Sequence, residues 1–98
     1  MSLKRKRDLW SEAEAGLGSA GRIRILRYLI EHPNRQYTNY GLRMPTGLAS
    51  DEISRQMQIL VDLGWVKEFT REPRTYKVNM ENEVVERIAE FFHKLSFF

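Results

Sequence analysis

The residues best suited to recognise another molecule have polar side chains and lie on one face of a predicted helix, which starts at Ser50-Asp51-Glu52 and stops at Leu63-Gly64. They are Ser54, Arg55 and Gln58. An arginine fork matches the O6/N7 edge of guanine, and a glutamine amide matches adenine. A serine hydroxyl can reach a base or a phosphate. These residue types predict contacts with double-stranded DNA. For Arg55 the alternative interpretation is an ordinary solvated arginine.

The apolar residues of this segment determine which face points outward. Ile53, Met57 and Leu60 repeat at i, i+4 and i+7, so they predict the buried face of a helix. Asp51 and Glu52 stand at its start, where acids stabilise the helix dipole. Asp51 could also accept from a cytosine amino group, but we favour its role at the helix start.

A second group of cations lies on a predicted β-hairpin. Residues 65–70 and 75–79 alternate aromatic or β-branched residues with charged ones on both sides of a proline turn, which is typical of a hairpin. The cations of this hairpin are Arg71, Arg74, Lys77 and, nearby, Lys67. On a narrow protruding hairpin they predict phosphate or minor-groove contacts. The alternative is a charged edge that prevents strand aggregation.

Two helices are predicted to precede and position this helix. Ser19 is suited to cap an amphipathic helix over residues 20–32, and Thr38 a short helix over 39–44, which Pro45 ends. Gly47 suits a left-handed turn before the next helix. Ser50 is the predicted cap of that helix and is also one of the predicted DNA contacts. Two helices joined by a glycine turn predict a helix-turn-helix.

The start of the short helix is itself a candidate phosphate contact. Thr38 or Asn39 could present a hydroxyl or backbone amides to a phosphate. Simple capping of the helix by these residues is an equally good interpretation.

A final helix over residues 80–95, capped by Asn79 or Asn82, carries two apolar stripes. The first is Val84, Ile88, Phe91 and Leu95, and the second is Val85, Ala89 and Phe92. Two stripes exceed what a small domain needs, so we predict a homodimer interface. Its predicted residues are Val84, Ile88, Phe91, Phe92 and Leu95. The alternative is one wide core face.

The 98 residues predict one domain over residues 19–98, preceded by a basic arm with a short helical turn, residues 1–18. The arm either follows a DNA groove or is a solvated terminus, and we favour the second. The net charge is +3 and would be −1 without Lys4-Arg5-Lys6-Arg7. Overall charge is therefore weak evidence for a nucleic-acid partner.

Several function classes lack support in the composition. No cysteine is present, so disulfides, thiolate metal sites and cysteine nucleophiles are excluded. His32 and His93 have no metal-ligand spacing or neighbouring nucleophile. We expect no enzyme activity, no cofactor and no metal. No apolar stretch has the length of a membrane span, so we expect a cytoplasmic protein without a membrane partner.

The stretch from Tyr37 to Val66 resembles the core of ArsR-like winged-helix regulators. These proteins often read T-G-L-S-x-x-x-V-S-R-x-L-x-x-L-x-x-x-G-L-V. The matching residues here, without gaps, are Thr46-Gly47-Leu48, Ile53-Ser54-Arg55, Met57, Leu60 and Gly64-Trp65-Val66. The resemblance extends over roughly residues 19–79. Ala49 replaces the family's usual serine cap, and the metal-sensing cysteines are absent.

These observations predict an α+β, mainly helical fold: a winged helix-turn-helix with a two-stranded wing and a C-terminal dimerisation helix. We expect a dimeric, sequence-specific double-stranded DNA-binding transcriptional regulator, with its recognition helix in the major groove and its wing on the backbone or minor groove. The alternative is a winged-helix protein–protein interaction module in a larger assembly, which Asp51 and Glu52 favour. The sequence names no small-molecule effector.

Overall fold

Four helices and one two-stranded antiparallel sheet make up the part of the chain that the computed structural model describes, residues 16–95. In chain order they are α1 (Ala20–Glu31), α2 (Arg43–Thr46), α3 (Ser50–Asp62), β1 (Val66–Phe69), β2 (Thr75–Val78) and α4 (Glu83–Lys94), with a 3-10 turn (Tyr40–Leu42) directly before α2. The fold is α+β and mainly helical, as predicted, and its order is compatible with a winged helix. The basic run of residues 4–7 lies outside the described residues.

Helix α1 begins at the predicted cap and ends one residue before the predicted end. The Arg22 backbone N–H donates to Ser19 Oγ over 3.2 Å, which satisfies one of the free amides at the helix start. Its apolar face, formed by Ile25, Leu26, Leu29 and Ile30, is buried in the core. Helix α1 contacts α2, α3, β2 and α4, so it lies at the centre of the fold.

Helix α2 runs beyond its predicted end at Met44 and includes Pro45. Pro45 is the third residue of α2, and the first-turn amides of a helix have no acceptor within that helix. Proline therefore interrupts no hydrogen bond of α2. Gly47 follows with φ of +72°, the left-handed conformation that was predicted.

Helix α3 starts without the predicted cap. Ala49 is its N-cap residue, and Ser50 is its first helical residue. The Ser50 hydroxyl instead donates to Asn39 Oδ1 over 3.3 Å, so a contact from outside the helix replaces the local one. The predicted inward face is confirmed, because the side chains of Ile53, Met57 and Leu60 are buried.

The hairpin of β1 and β2 is confirmed, with Val66 opposite Val78 and Phe69 opposite Thr75. A third segment joins it: Tyr37 and Tyr76 form an isolated antiparallel bridge, with N–H to carbonyl distances of 2.9 and 2.8 Å. The bridge fixes the segment before α2 against the hairpin. Sequence reasoning missed it because one bridging residue has no alternating pattern.

Helix α4 begins after Asn82, whose side chain accepts hydrogen bonds from the backbone N–H groups of Val84 and Val85. Five of its apolar residues are buried: Val84, Val85, Ile88, Ala89 and Phe92. They join the single core cluster, in which Trp65 is fully buried. Across residues 16–95, none of the helices has the length and apolar character needed to cross a membrane.

Candidate nucleic-acid interface

An open groove of about 380 Å³ separates α3 from the hairpin. It is lined by Asn39, Ser54, Thr70, Glu72, Pro73, Arg74 and Tyr76. The fold thus brings together two of the predicted DNA-contact residues, Ser54 from α3 and Arg74 from the hairpin. A polar groove bounded by an exposed helix and a hairpin can accept an elongated, charged partner.

The α3 side of the groove is held by hydrogen bonds to the preceding segment. Asn39 Nδ2 donates to Ser54 Oγ over 2.7 Å, and Asn39 Oδ1 accepts from the Ser50 hydroxyl. Thr38 Oγ1 accepts from the Gly41 backbone N–H over 2.9 Å. Thr38 therefore has the capping role that was one of its two interpretations. A phosphate contact at Thr38 stays a prediction.

The hairpin carries the predicted cations, of which Arg74 lines the groove. Arg74 Nε lies 3.4 Å from Glu68 Oε2, so a neighbouring acid orients its exposed guanidinium. Arg71 is exposed, close to the tip. Lys67 and Lys77 are directly opposite each other in the strand register, so both project from the same face. Lys67 Nζ is 3.6 Å from a Glu81 carboxylate oxygen, which offsets one of these charges.

On α3, Arg55 is largely exposed and forms an ion pair with Glu52, one turn earlier in the helix. Gln58 is also exposed, and its Nε2 donates to Asp62 Oδ1 over 2.9 Å. Asp51 Oδ1 accepts from the Glu52 backbone N–H over 3.0 Å. This contact agrees with the favoured interpretation of Asp51 as a residue that stabilises the helix start.

The polar side chains of α3 suit a contact with DNA, but the net charge of the helix does not favour a polyanion. Three acids, Asp51, Glu52 and Asp62, and the single cation Arg55 give the helix a net charge of −2. Two of these carboxylates are already engaged by side-chain donors within α3, as described above. Any attraction for phosphates must therefore come mainly from the hairpin.

The sequence reasoning missed an exposed surface with an aromatic and a sulfur-containing side chain, formed by the 3-10 turn and α2. The Tyr40 side chain is 76% exposed and that of Met44 is 91% exposed. The Arg43 guanidinium stacks over the Tyr40 ring, 5.3 Å from its centroid. The i, i+4 spacing of Tyr40 and Met44, opposite the inward Leu42, was the signal that could have revealed this surface.

The predicted dimer residues on α4 separate into two groups. Val84, Ile88 and Phe92 are buried against the rest of the chain, with at most 8% of each exposed. For these three, the alternative of one wide core face describes what is found. Phe91 and Leu95 remain 58% and 45% exposed. The apolar surface that α4 offers to a partner is therefore narrower than predicted.

The described residues, 16 to 95, contain no cluster of three or more histidine, aspartate or glutamate side chains that could hold a metal ion. No protein-family model matches the chain, and no curated protein matches it.

Proposed function

We propose that this chain is an ArsR-like winged-helix protein that binds specific double-stranded DNA sequences as a homodimer and regulates transcription. In this proposal α3 is the recognition helix in the major groove, and the β1–β2 hairpin is the wing, on the backbone or in the minor groove. The observation that carries the proposal is the groove between them, with Ser54 on one side and Arg74 on the other.

The exposed face of α3 supports this assignment. Ser54, Arg55 and Gln58 are exposed, while the opposite face of the helix is anchored in the core. A recognition helix needs this division, because a rigid inner face holds the outer side chains at fixed positions along the base edges. Arg55 is the candidate for guanine, and Gln58 for adenine.

The hairpin supports the assignment by its charge. Arg74 lines the groove, and Arg71 is exposed near the tip of the hairpin, where phosphates would pass. Lys77 follows the groove-lining Tyr76 in β2, so it projects from the opposite face of the hairpin. Contacts with phosphates position a protein on the duplex and supply salt-dependent affinity. They also offset the net negative charge of α3.

The exposed apolar surface at the end of α4 supports the proposed homodimer. Phe91, in the last turn of α4, and Leu95, its C-cap residue, are large apolar side chains that remain exposed. A second copy of the chain would cover them and place two recognition helices on half-sites about one helical turn apart.

Selection of bound duplexes from a random pool at low salt tests the proposal. The expected result is an enriched sequence whose affinity falls steeply as salt increases. Arg55→Ala should lose about 1–3 kcal/mol of discrimination at one base pair. Arg74→Ala should weaken all duplexes alike. Arg87→Ala removes the same charge from α4, which lines neither side of the groove, and serves as the control.

The contrary outcome is clear-cut. If the folded protein, checked by circular dichroism, binds no duplex even at low salt, the DNA proposal is wrong. A loss of affinity in Arg87→Ala equal to that in Arg74→Ala would also remove the groove as the binding site.

The net charge of −2 on α3 and the exposed Tyr40 and Met44 favour a second candidate, a protein–protein interaction module. In that function α2 and the start of α3 contact a protein partner, and the duplex selection enriches nothing. Tyr40 and Met44 are neighbours one turn apart, and contiguous exposed apolar surface, unlike a single exposed residue, is a feature of protein-binding sites.

A further inference from the structure

A continuous chain of side-chain hydrogen bonds connects α1 to the exposed face of α3. Arg22 Nε donates to Gln56 Oε1 over 2.6 Å, and Gln56 Nε2 donates to Glu52 Oε2 over 2.7 Å. The other oxygen of Glu52, Oε1, accepts from Arg55 Nη2. The chain therefore ends at the side chain proposed to read guanine.

Burial decreases along this chain from its middle to its end. The Gln56 residue is only 7% exposed, whereas the Glu52 and Arg55 side chains are 28% and 62% exposed. A buried amide must have hydrogen-bond partners, since a buried donor or acceptor without one lowers the stability of the fold by about 1–3 kcal/mol. The buried Gln56 thus anchors a network whose far end reaches solvent.

The chemistry of the partners gives the network a single orientation. A guanidinium only donates hydrogen bonds, so Arg22 requires the oxygen of the Gln56 amide. An ionised carboxylate only accepts, so Glu52 requires the amide nitrogen. The Gln56 amide therefore cannot exchange its oxygen and nitrogen, and it holds the Glu52 carboxylate in one position relative to the core.

This restraint has a consequence for Arg55. A free arginine side chain carries about 2 kcal/mol of rotamer entropy, part of which it loses when it binds. An arginine already held by a fixed carboxylate loses less, and its remaining N–H donors keep a defined direction. Glu52 thus has a use in a DNA-binding helix, despite its charge.

We infer that Glu52 and Gln56 are positioning residues that orient Arg55 for base recognition and so determine base specificity without contacting a base. The inference rests on the proposed function of α3 as a recognition helix. In this inference Glu52 contributes to base specificity, and the cations of the hairpin supply the positive charge needed for affinity.

The neighbouring acid provides a matched control. Asp51 is exposed, belongs to the same helical turn, and makes its contact with a backbone N–H instead of Arg55. Glu52→Gln and Asp51→Asn therefore remove one identical charge from almost the same place. At position 52, glutamine replaces one of the two acceptor oxygens with an NH2 donor, which then faces the donor of either Arg55 or Gln56, so one bond of the network is lost. At position 51, an asparagine oxygen still accepts the backbone N–H.

The experiment measures dissociation constants of the full chain for its selected duplex and for duplexes with each single base pair changed. On duplexes changed at the base pair read by Arg55, both variants should bind more tightly by a similar factor, because each removes one negative charge near phosphates. Only Glu52→Gln should lose discrimination at the base pair read by Arg55, by about tenfold. Gln56→Leu should show the same selective loss. In an Arg55→Ala background, Glu52→Gln should change discrimination no further.

The outcomes separate this inference from the proposed function. If the wild type binds no duplex, the proposed function is overturned, and the inference with it. If the wild type and Arg55→Ala differ at one base pair but Glu52→Gln keeps full discrimination, the inference alone is overturned. A purely structural role would weaken every duplex equally, and this result would also overturn it. Relaxation of the Arg55 Nε–H in the free protein gives a second readout, expected to show greater mobility in Glu52→Gln than in Asp51→Asn.

Discussion

Asn39 and Ser54 are joined by a hydrogen bond of 2.7 Å, from Asn39 Nδ2 to Ser54 Oγ, across 15 residues of sequence. Because Ser54 Oγ accepts this bond, its own O–H remains available to donate. An exposed hydroxyl held in this way is suited to an acceptor, such as a phosphate oxygen or the N7 of a purine. The contact narrows the role of Ser54 in the proposed interface to that of a donor.

Asn39→Ala should lower both stability and duplex affinity. The substitution removes the bonds to Ser54 and Ser50, and we expect the free energy of unfolding to fall by about 0.5–1.5 kcal/mol. Urea denaturation measures this change. Asn34→Ala, at an exposed position after α1, is the control and should be neutral. An unchanged stability in Asn39→Ala would show that the contact contributes nothing.

Asn82 should contribute measurably to the stability of α4. Its side-chain oxygen accepts from the Val84 and Val85 backbone N–H groups over 2.8 and 3.1 Å. Asn82→Ala leaves both donors without this partner and should destabilise the fold by about 1 kcal/mol, seen as a lower melting temperature. Asn82→Asp retains the acceptor and loses only the 3.4 Å bond from Asn82 Nδ2 to the Gly64 carbonyl, which Asn79 also contacts, so it should destabilise the fold less than Asn82→Ala. Equal losses in the two variants would contradict the capping role.

Gly47 should tolerate substitution poorly for a purely conformational reason. Its φ is +72°, but a Cβ at this position would meet no atom within 4 Å. Gly47→Ala should therefore cost about 1–2 kcal/mol of stability through the left-handed backbone alone. Gly47→Asn should cost less, because asparagine adopts this conformation more readily. If Ala and Asn are equally tolerated, the left-handed turn is not maintained in solution.

Local signals in the sequence were enough to predict most of the helices and strands. Ser19 accepts its hydrogen bond from the same helix it precedes, and the apolar repeat of α3 needs no distant partner. The predicted capping role of Ser50 is wrong. A short-range rule favours it as a cap, but its hydroxyl contacts Asn39, eleven residues earlier. A contact between segments overrides the local preference, and a single sequence contains no pattern for it.

The candidate site was predictable by residue type but not by arrangement. The helical period places Ser54 outward, and the hairpin pattern places Arg74 near a turn. Their position on opposite sides of one groove depends on packing and on the Tyr37–Tyr76 bridge. The connection from Arg22 through Gln56 was equally hidden, since it joins residues 34 apart in sequence.

The two adjacent phenylalanines of α4 allow a sharp test of the proposed dimer. Phe91 is 58% exposed, whereas Phe92 is 7% exposed and belongs to the core. If a second copy covers Phe91, then Phe91→Ser should raise the dimer dissociation constant by at least about tenfold, as loss of a central apolar contact does. The circular dichroism spectrum and the stability of the monomer should be unchanged.

Phe92→Ala is the contrasting variant, because it removes a core side chain and should cost about 3–5 kcal/mol of stability. Sedimentation equilibrium over a range of concentrations measures the association of the 11.6 kDa chain. A wild type that stays monomeric at high concentration would contradict the dimer. A Phe91→Ser variant that dimerises like the wild type would move the interface away from α4. We expect Phe91→Ser to associate more weakly but to fold normally, and Phe92→Ala to lose stability. This difference is expected only if Phe91 faces a partner and Phe92 faces the core.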